Sequence, residues 1–242
     1  MGRSPYDNYV VLGPDGNEMF YSDAKKFNWY LKKNLAKRID DYTIQLTFTP
    51  KGKGEQKKYL HPKVNICVVS GVTENLSKHH IIPSQYRKLF PNRYKTNNSK
   101  DVVLLERRVH DLYEMEADKL KEKLLKDNLT ESEINFNKNL NTCKKIIRSL
   151  NSYSELIPSD KFVSLYNIIE ECLIEINKNV DKNVDISNVD DIEPIDENQL
   201  VIERVGIENL IVLWNNHFLE VAKPKYMPES WDPNDIKIVI KD

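Results

Sequence analysis

The sequence predicts an α+β fold, with short strands in its first half and long helices in its second. Short apolar runs near the N-terminus lie beside Gly, Pro, Asn and Asp, as in strands that are joined by turns. Residues 100–127 instead carry apolar side chains at helical spacing and contain no Gly or Pro. The chain has 242 residues, 40% of them hydrophobic, which is enough to bury a hydrophobic core.

The first half is predicted to contain four strands and one helix. A Gly-Pro-Asp-Gly turn at residues 13–16 separates the first two strands, and Asp23 suits the N-cap of the helix that follows them. The predicted strands are residues 9–12, 18–21, 42–48 and 64–69, the helix is residues 24–37, and residues 51–58 form a lysine-rich loop.

The second half is predicted to be helical. The expected helices are residues 100–127, 131–150, 160–177 and 207–222. Residues 179–198 contain seven acidic side chains and a proline without a stable period, which indicates an exposed acidic linker or flexible loop. We therefore expect two regions, a basic region over residues 1–127 and a helical C-terminal region over residues 128–242.

The charge of the chain is unevenly distributed. The net charge is −1, but residues 1–113 carry 20 basic and 11 acidic side chains, whereas residues 114–242 carry 16 and 26. A basic half is what a phosphate-binding surface requires, because each neutralised phosphate releases condensed counterions. A solvated lysine-rich surface explains the same charge without any ligand.

Several classes of protein are not expected. No run approaches the roughly 18 apolar residues of a membrane span, and the N-terminal apolar run is too short for a secretory signal. Cys67, Cys143 and Cys172 are an odd number and far apart, so no disulfide framework is predicted. We expect an intracellular protein of the cytoplasm or nucleus that is not secreted and has no membrane partner.

One segment concentrates side chains that can carry chemistry. It contains three of the five histidines within 32 residues. Elsewhere the chain offers no competing motif: Gly-rich phosphate loops of the P-loop or dinucleotide-binding type, G-x-S-x-G, H-E-x-x-H and C-x-x-C are all absent from the sequence. The three pieces of this segment are Cys67-Val-Val-Ser-Gly71, His79-His80-Ile-Ile-Pro83, and Asp101 through His110. Imidazole, with a pKa near 6.5, can accept a proton from water at neutral pH, and it also binds metal ions.

These pieces resemble the HNH, or ββα-metal, nucleases. The resemblance rests on the His-His pair with an apolar pair and Pro, on Asp101, and on His110 nine residues later. It implies a central ββα-metal element in which His80 is the general base and Asp101 orients it. It also implies that His79 and His110 hold one divalent ion, Mg²⁺ or Mn²⁺, against the scissile phosphate.

Two further positions bear on the metal chemistry. Glu114 lies four residues after His110, so on a helix both side chains share a face and Glu114 could complete the metal shell; a surface glutamate is the alternative. Many HNH proteins also bind a structural zinc through two C-x-x-C pairs, which here correspond to Cys67, Ser70, Glu106 and Val109. Zinc requires four good ligands, so no structural zinc is expected.

A wider resemblance covers nearly the whole chain. The segments 67–71, 79–91 and 97–114, together with the Gly206 to Trp231 stretch, are similar to the C-terminal region of three-prime-to-five-prime exonuclease domain-containing proteins. Residues 6–36 resemble the sequence at the start of that C-terminal region. The resemblance implies nucleic-acid processing by an HNH-like module without the exonuclease domain.

The expected function is a divalent-metal-dependent endonuclease that hydrolyses phosphodiester bonds in DNA or RNA. The alternatives are a catalytically degenerate HNH scaffold that binds nucleic acid or assembles with partners, and a purely structural role for the histidines. The predicted nucleic-acid contacts are basic side chains near the lysine-rich loop and the His-His segment: Lys51, Lys53, Lys57, Lys58, Arg87, Lys88, Arg93 and Lys95.

Overall fold

The computed structural model describes residues 5–51, 63–94, 101–180, 183–229 and 231–236 and confirms the α+β class. The chain divides into two compact units, residues 1–120 with 206–242, and residues 121–205. The ranges 1–127 and 128–242 stay a prediction about which parts of the chain form separate domains. Within the described ranges, no helix is long and apolar enough to span a bilayer.

A four-stranded mixed sheet opens the first unit. Its strands are β1 (Tyr9–Leu12), β2 (Glu18–Ser22), β3 (Ala36–Arg38) and β4 (Thr43–Leu46), in the order β2-β1-β4-β3. Strands β1 and β4 are parallel, whereas the other pairs are antiparallel.

Helix α1 (Ala24–Lys32) packs on this sheet through its buried Phe27. As predicted, Asp23 caps the helix by accepting a hydrogen bond from the Lys26 N–H at 2.7 Å. The helix ends before the predicted residue 37, because Asn34 has a left-handed φ of 53° and the chain turns back into β3.

A ββα element follows the four-stranded sheet in the first unit. Strands β5 (Leu76–His80) and β6 (Val102–Glu106) are antiparallel, and α3 (Arg107–Asn128) follows β6 directly. The connection between the strands contains α2 (Ser84–Arg87) and a 3-10 turn at Asn92–Tyr94.

Two sequence predictions for this region are wrong. Residues 102–106 form a strand and not the start of a helix, because Val102–Leu105 is buried on both faces and a short buried run has no diagnostic period. Residues 64–69 are irregular up to a turn that begins at residue 68, and they do not form a strand. The Gly71 N–H bonds the Cys67 carbonyl at 2.9 Å, and Gly71 has a φ of 76°.

The C-terminal helix α7 (Ile207–Ala222) returns to the first unit and confirms the predicted bounds. It begins after Gly206, whose φ of 86° separates it from the preceding helix. Its buried face includes Trp214 and Phe218, neither of which has exposed surface. Phe218 packs against His79 and Tyr113 of the ββα element, and Trp214 packs against Tyr86 in the connection between its strands.

The second unit is a helical hairpin with an acidic segment packed against it. Its helices are α4 (Glu131–Tyr153), α5 (Ser159–Asn177) and α6 (Glu197–Val205). The acidic segment is more ordered than predicted, because Val184 and Val189 are buried in the hairpin core and α6 already begins at Glu197. The acidic side chains Asp185, Asp190, Asp191, Glu193 and Asp196 are exposed, as an exposed linker or loop requires. The two buried valines and the helix from Glu197 are what the sequence analysis did not foresee.

Candidate metal centre

The ββα element places its histidines by simple strand geometry. Successive side chains of β5 point to opposite faces, so Ser77 and His79 share one face while Lys78 and His80 share the other. His79 is opposite Val103 in the ladder and is only 4% exposed. The face with His79 is covered by α3.

Three side chains converge on that covered face. His79 Nδ1 lies 3.0 Å from His110 Nε2, and Glu114 Oε1 lies 3.3 Å from the first nitrogen and 3.4 Å from the second. Helix α3 contributes both His110 and Glu114 because residues four apart share a helical face. The side chains are 4%, 20% and 43% exposed for His79, His110 and Glu114, so the cluster opens toward solvent on its carboxylate side.

This donor set fits a divalent metal ion. One ligand atom from each of the three residues lies within 4.8 Å of the other two. Among the His, Cys, Asp and Glu side chains of the described residues, this is the group of three that is close enough to hold one metal ion. Two imidazole nitrogens and a carboxylate oxygen are ligands that divalent transition metals accept, with further positions left for water or substrate. The structure thus brings together His79, His110 and Glu114, the three residues that the sequence nominated as ligands.

Aromatic packing holds the His79 ring. The Tyr113 ring meets it edge-on at 5.0 Å between centroids, and the Phe218 ring lies stacked at 6.1 Å. Tyr113 also hydrogen-bonds His217 Nδ1 at 3.1 Å, and burial, followed by the charge of Glu114, raises the pKa of Tyr113. The Tyr113 hydroxyl therefore stays protonated at neutral pH.

No pattern in the sequence indicates that Tyr113 and Phe218 pack against His79. Phe218 comes from a helix more than a hundred residues beyond β5, and Tyr113 lies within an ordinary helical pattern. His217 is hydrogen-bonded to Tyr113, and its pKa is lowered mainly by burial. His61 lies outside the described residues.

His80 lies on the other face of β5, beside Arg87. An Arg87 guanidinium nitrogen is 2.6 Å from His80 Nδ1. Burial, then the positive charge of Arg87, then His79 lower the pKa of His80, and a hydrogen bond to the Asp101 main chain partly opposes this effect. The His80 ring is therefore neutral at pH 7.

Asp101 immediately precedes β6, whose first residue, Val102, is paired with His80. Its main-chain carbonyl accepts a hydrogen bond from the Ile81 N–H at 3.1 Å, and its main chain also hydrogen-bonds the His80 ring. Asp101 thus contacts the predicted base through the main chain, which any residue at this position would supply.

The predicted nucleic-acid contacts are only partly described. Lys51, Lys88 and Arg93 are exposed, and Arg93 lies over the Tyr94 ring at 5.0 Å. Arg87 is half-buried against His80. The remaining predicted contacts, Lys53, Lys57, Lys58 and Lys95, lie outside the described residues.

The positions that correspond to a zinc knuckle form a hydrogen-bonded turn. The Ser70 N–H donates to Cys67 Sγ at 3.4 Å, and Ser70 Oγ donates to Glu106 Oε2 at 3.1 Å. Burial acts to raise the pKa of the Cys67 thiol, but the hydrogen bonds from Ser70 and nearby main-chain groups outweigh it and lower that pKa. Val109, the fourth position, is half-buried and offers no ligand atom.

Comparison with known proteins shows related sequences for almost the entire chain. It is 29% identical to Exonuclease 3'-5' domain-containing protein 2 of Mus musculus over 268 residues, covering 99% of this chain and 40% of that protein. It is 28% identical to the Homo sapiens protein of the same name, covering 99% and 42%. Protein RRP6-like 3 of Arabidopsis thaliana is 36% identical over 124 residues, covering 49% and 14%.

No family model and no solved structure matches the chain. The alignment covers this chain almost from end to end, but it spans only about two fifths of the length of the mouse and human relatives. The chain is therefore related to proteins that are named for a 3'-5' exonuclease domain.

Proposed function

We propose that this chain is a divalent-metal-dependent nuclease of the HNH type, which hydrolyses phosphodiester bonds in nucleic acid as an endonuclease. The observation that carries the proposal is the convergence of His79, His110 and Glu114 next to His80 on a ββα element. The similarity to exonuclease-domain proteins supports a nucleic-acid substrate, DNA or RNA.

His79, His110 and Glu114 would hold the ion. A divalent ion bound there would supply charge stabilisation for the phosphate and the departing oxygen. Since the site offers two nitrogens and one oxygen, Mn²⁺ fits it better than Mg²⁺, which prefers all-oxygen ligands. Both ions stay candidates.

His80 is the proposed general base, and Arg87 controls access to it. A guanidinium can only donate hydrogen bonds, so His80 Nδ1 must carry a lone pair and the neutral ring carries its proton on Nε2. Water can transfer a proton to Nδ1 only after Arg87 has left that nitrogen. A substrate phosphate draws Arg87 away, because charge-assisted bonds to phosphate are stronger than a bond to neutral imidazole.

The substrate is proposed to lie along the His80 face of β5. Lys78 projects from that face, and its ammonium lies 4.7 Å from the centre of the Tyr6 ring, while Lys63 lies 4.9 Å from it. Lys78 thus shares the strand face of the proposed base, and Arg87 contacts that base directly. Lys88 and Arg93 are exposed and are proposed to add phosphate contacts. The sequence did not single out Lys63 or Lys78, although strand alternation from His80 leads directly to Lys78.

One observation favours the alternative of a catalytically degenerate, nucleic-acid-binding or assembly protein. The Cys67, Ser70 and Glu106 turn holds the scaffold through hydrogen bonds, where HNH proteins with a knuckle use zinc. A scaffold that has changed in this way can also lose its activity while it keeps a basic binding face.

A cleavage assay separates the two functions. Labelled single-stranded and double-stranded DNA and RNA would be incubated with the chain in Mg²⁺, Mn²⁺ or chelator, with the His110→Ala variant as control. The nuclease proposal expects internal cleavage that requires metal and is lost in the variant. Binding of the same substrates without cleavage in either ion would instead support the alternative.

A further inference from the structure

Ser77 hydrogen-bonds both the metal cluster and the strand beside it. Its hydroxyl lies 2.8 Å from His110 Nδ1 and 3.1 Å from the Leu105 carbonyl oxygen. We infer that Ser77 is a positioning residue, which fixes the ring and the proton of His110 so that Nε2 is presented to the metal ion. This inference rests on the proposed metal centre.

The direction of each hydrogen bond follows from the chemistry of the groups. A serine hydroxyl has one proton, and the Leu105 carbonyl can only accept, so that proton goes to Leu105. Ser77 Oγ must then accept from His110, which places the His110 proton on Nδ1. The lone pair of His110 consequently lies on Nε2, the atom that faces His79 Nδ1 and Glu114 Oε1.

The fold places Ser77 where this role requires it. Ser77 is two residues before His79, so both side chains leave β5 on the face covered by α3. His110 therefore lies between them, with Ser77 at one ring nitrogen and His79 at the other. Ser77 is also opposite Leu105 in the β5–β6 ladder, which fixes the acceptor of its proton.

Loss of the hydroxyl should weaken metal binding in a specific way. Without it, Nδ1 loses its acceptor and the His110 proton redistributes between the two nitrogens, so part of the population presents no lone pair to the ion. Partners that orient metal-bound histidines change metal affinity by about 10-fold to 100-fold when they are removed. Thr at this position keeps a hydroxyl and suits a strand.

Calorimetric titration of the full chain with Mn²⁺ would test the inference. Ser77→Ala should bind Mn²⁺ about 10-fold to 100-fold more weakly than wild type. Ser77→Thr should recover most of the affinity. Ser70→Ala is the matched control, because it removes a serine hydroxyl bonded to Glu106 near the same hairpin but away from the cluster; it should bind like wild type.

Nitrogen-15 NMR of the imidazole rings gives a second readout that does not depend on the stability of a variant. Metal-free wild type should show His110 protonated on Nδ1. Protonation on Nε2, or Mn²⁺ affinity in a folded Ser77→Ala variant equal to that of wild type, would overturn the role of Ser77. If wild type binds no Mn²⁺, the metal centre itself is refuted, and the NMR result still decides how Ser77 acts on His110.

Discussion

Replacing His80 with alanine tests whether the ββα element works as a catalyst. His80 leaves β5 on the face opposite His79 and takes no part in the ligand cluster, so His80→Ala should leave metal affinity within about twofold of wild type. A general base contributes roughly 10² to 10⁴ in rate. This corresponds to about 2.7 to 5.5 kcal/mol of activation free energy.

The assay is single-turnover cleavage with Mn²⁺, measured beside metal affinity and thermal melting for each variant. His110→Ala should lose metal binding and cleavage together. Asp101→Asn should be mild, because the contact of residue 101 with the His80 ring is made by the main chain. If folded His80→Ala cleaves within about threefold of the wild-type rate, His80 is not the general base.

Three further predictions concern binding and stability. If phosphate contacts dominate the binding of nucleic acid, log affinity falls with log salt concentration by about 0.7 to 0.9 per contact. The Lys88→Ala and Arg93→Ala double variant should make this slope shallower, and an unchanged slope contradicts phosphate contacts by these two side chains. Hydrogen bonds from Arg204 and then Thr130 lower the pKa of Glu133 to about 2. Glu133→Gln should therefore lower the free energy of unfolding by about 1 kcal/mol at pH 7. In chemical denaturation, the difference in stability between wild type and variant should shrink as pH falls from about 4.5 toward 2. Gly71→Ala should lower the free energy of unfolding by at least about 1 kcal/mol in the same assay, because Gly71 has a φ of 76° and a new Cβ would lie 2.8 Å from the Tyr226 ring. Gly16→Ala is the control, because Gly16 also has a positive φ but open space around it. A smaller loss in Gly16→Ala would separate the clash with Tyr226 from the backbone strain.

The sequence was most informative where one local pattern decides the structure. Asp23 and a helical stripe predicted the start of α1, and the stripe over residues 207–222 predicted α7 to the residue. The spacing of four between His110 and Glu114 predicted a shared helical face, which the structure shows as a common approach to His79. In each of these cases, neighbours in sequence are also neighbours in space.

Tertiary packing decided the features that the sequence did not reveal. Val102–Leu105 is a strand because β5 pairs with it and both of its faces are buried, and neither condition is visible in a short apolar run. The stacking of Phe218 on His79 joins α7 to β5, and no local pattern encodes such a contact. The hydrogen bond between Ser77 and His110 also depends on how α3 crosses the hairpin.

His79, His110 and Glu114 are proposed to form a metal site in the folded chain. Thermal melting of wild type and His110→Ala, each with Mn²⁺ and with chelator, tests it most directly. At a free Mn²⁺ concentration 100 times Kd, binding stabilises the folded state by about 2.7 kcal/mol. For a chain of this size that is a rise of roughly 5 to 11 °C in Tm. We expect this rise in wild type and none in His110→Ala. No rise in wild type, or an equal rise in both proteins, would refute the metal site.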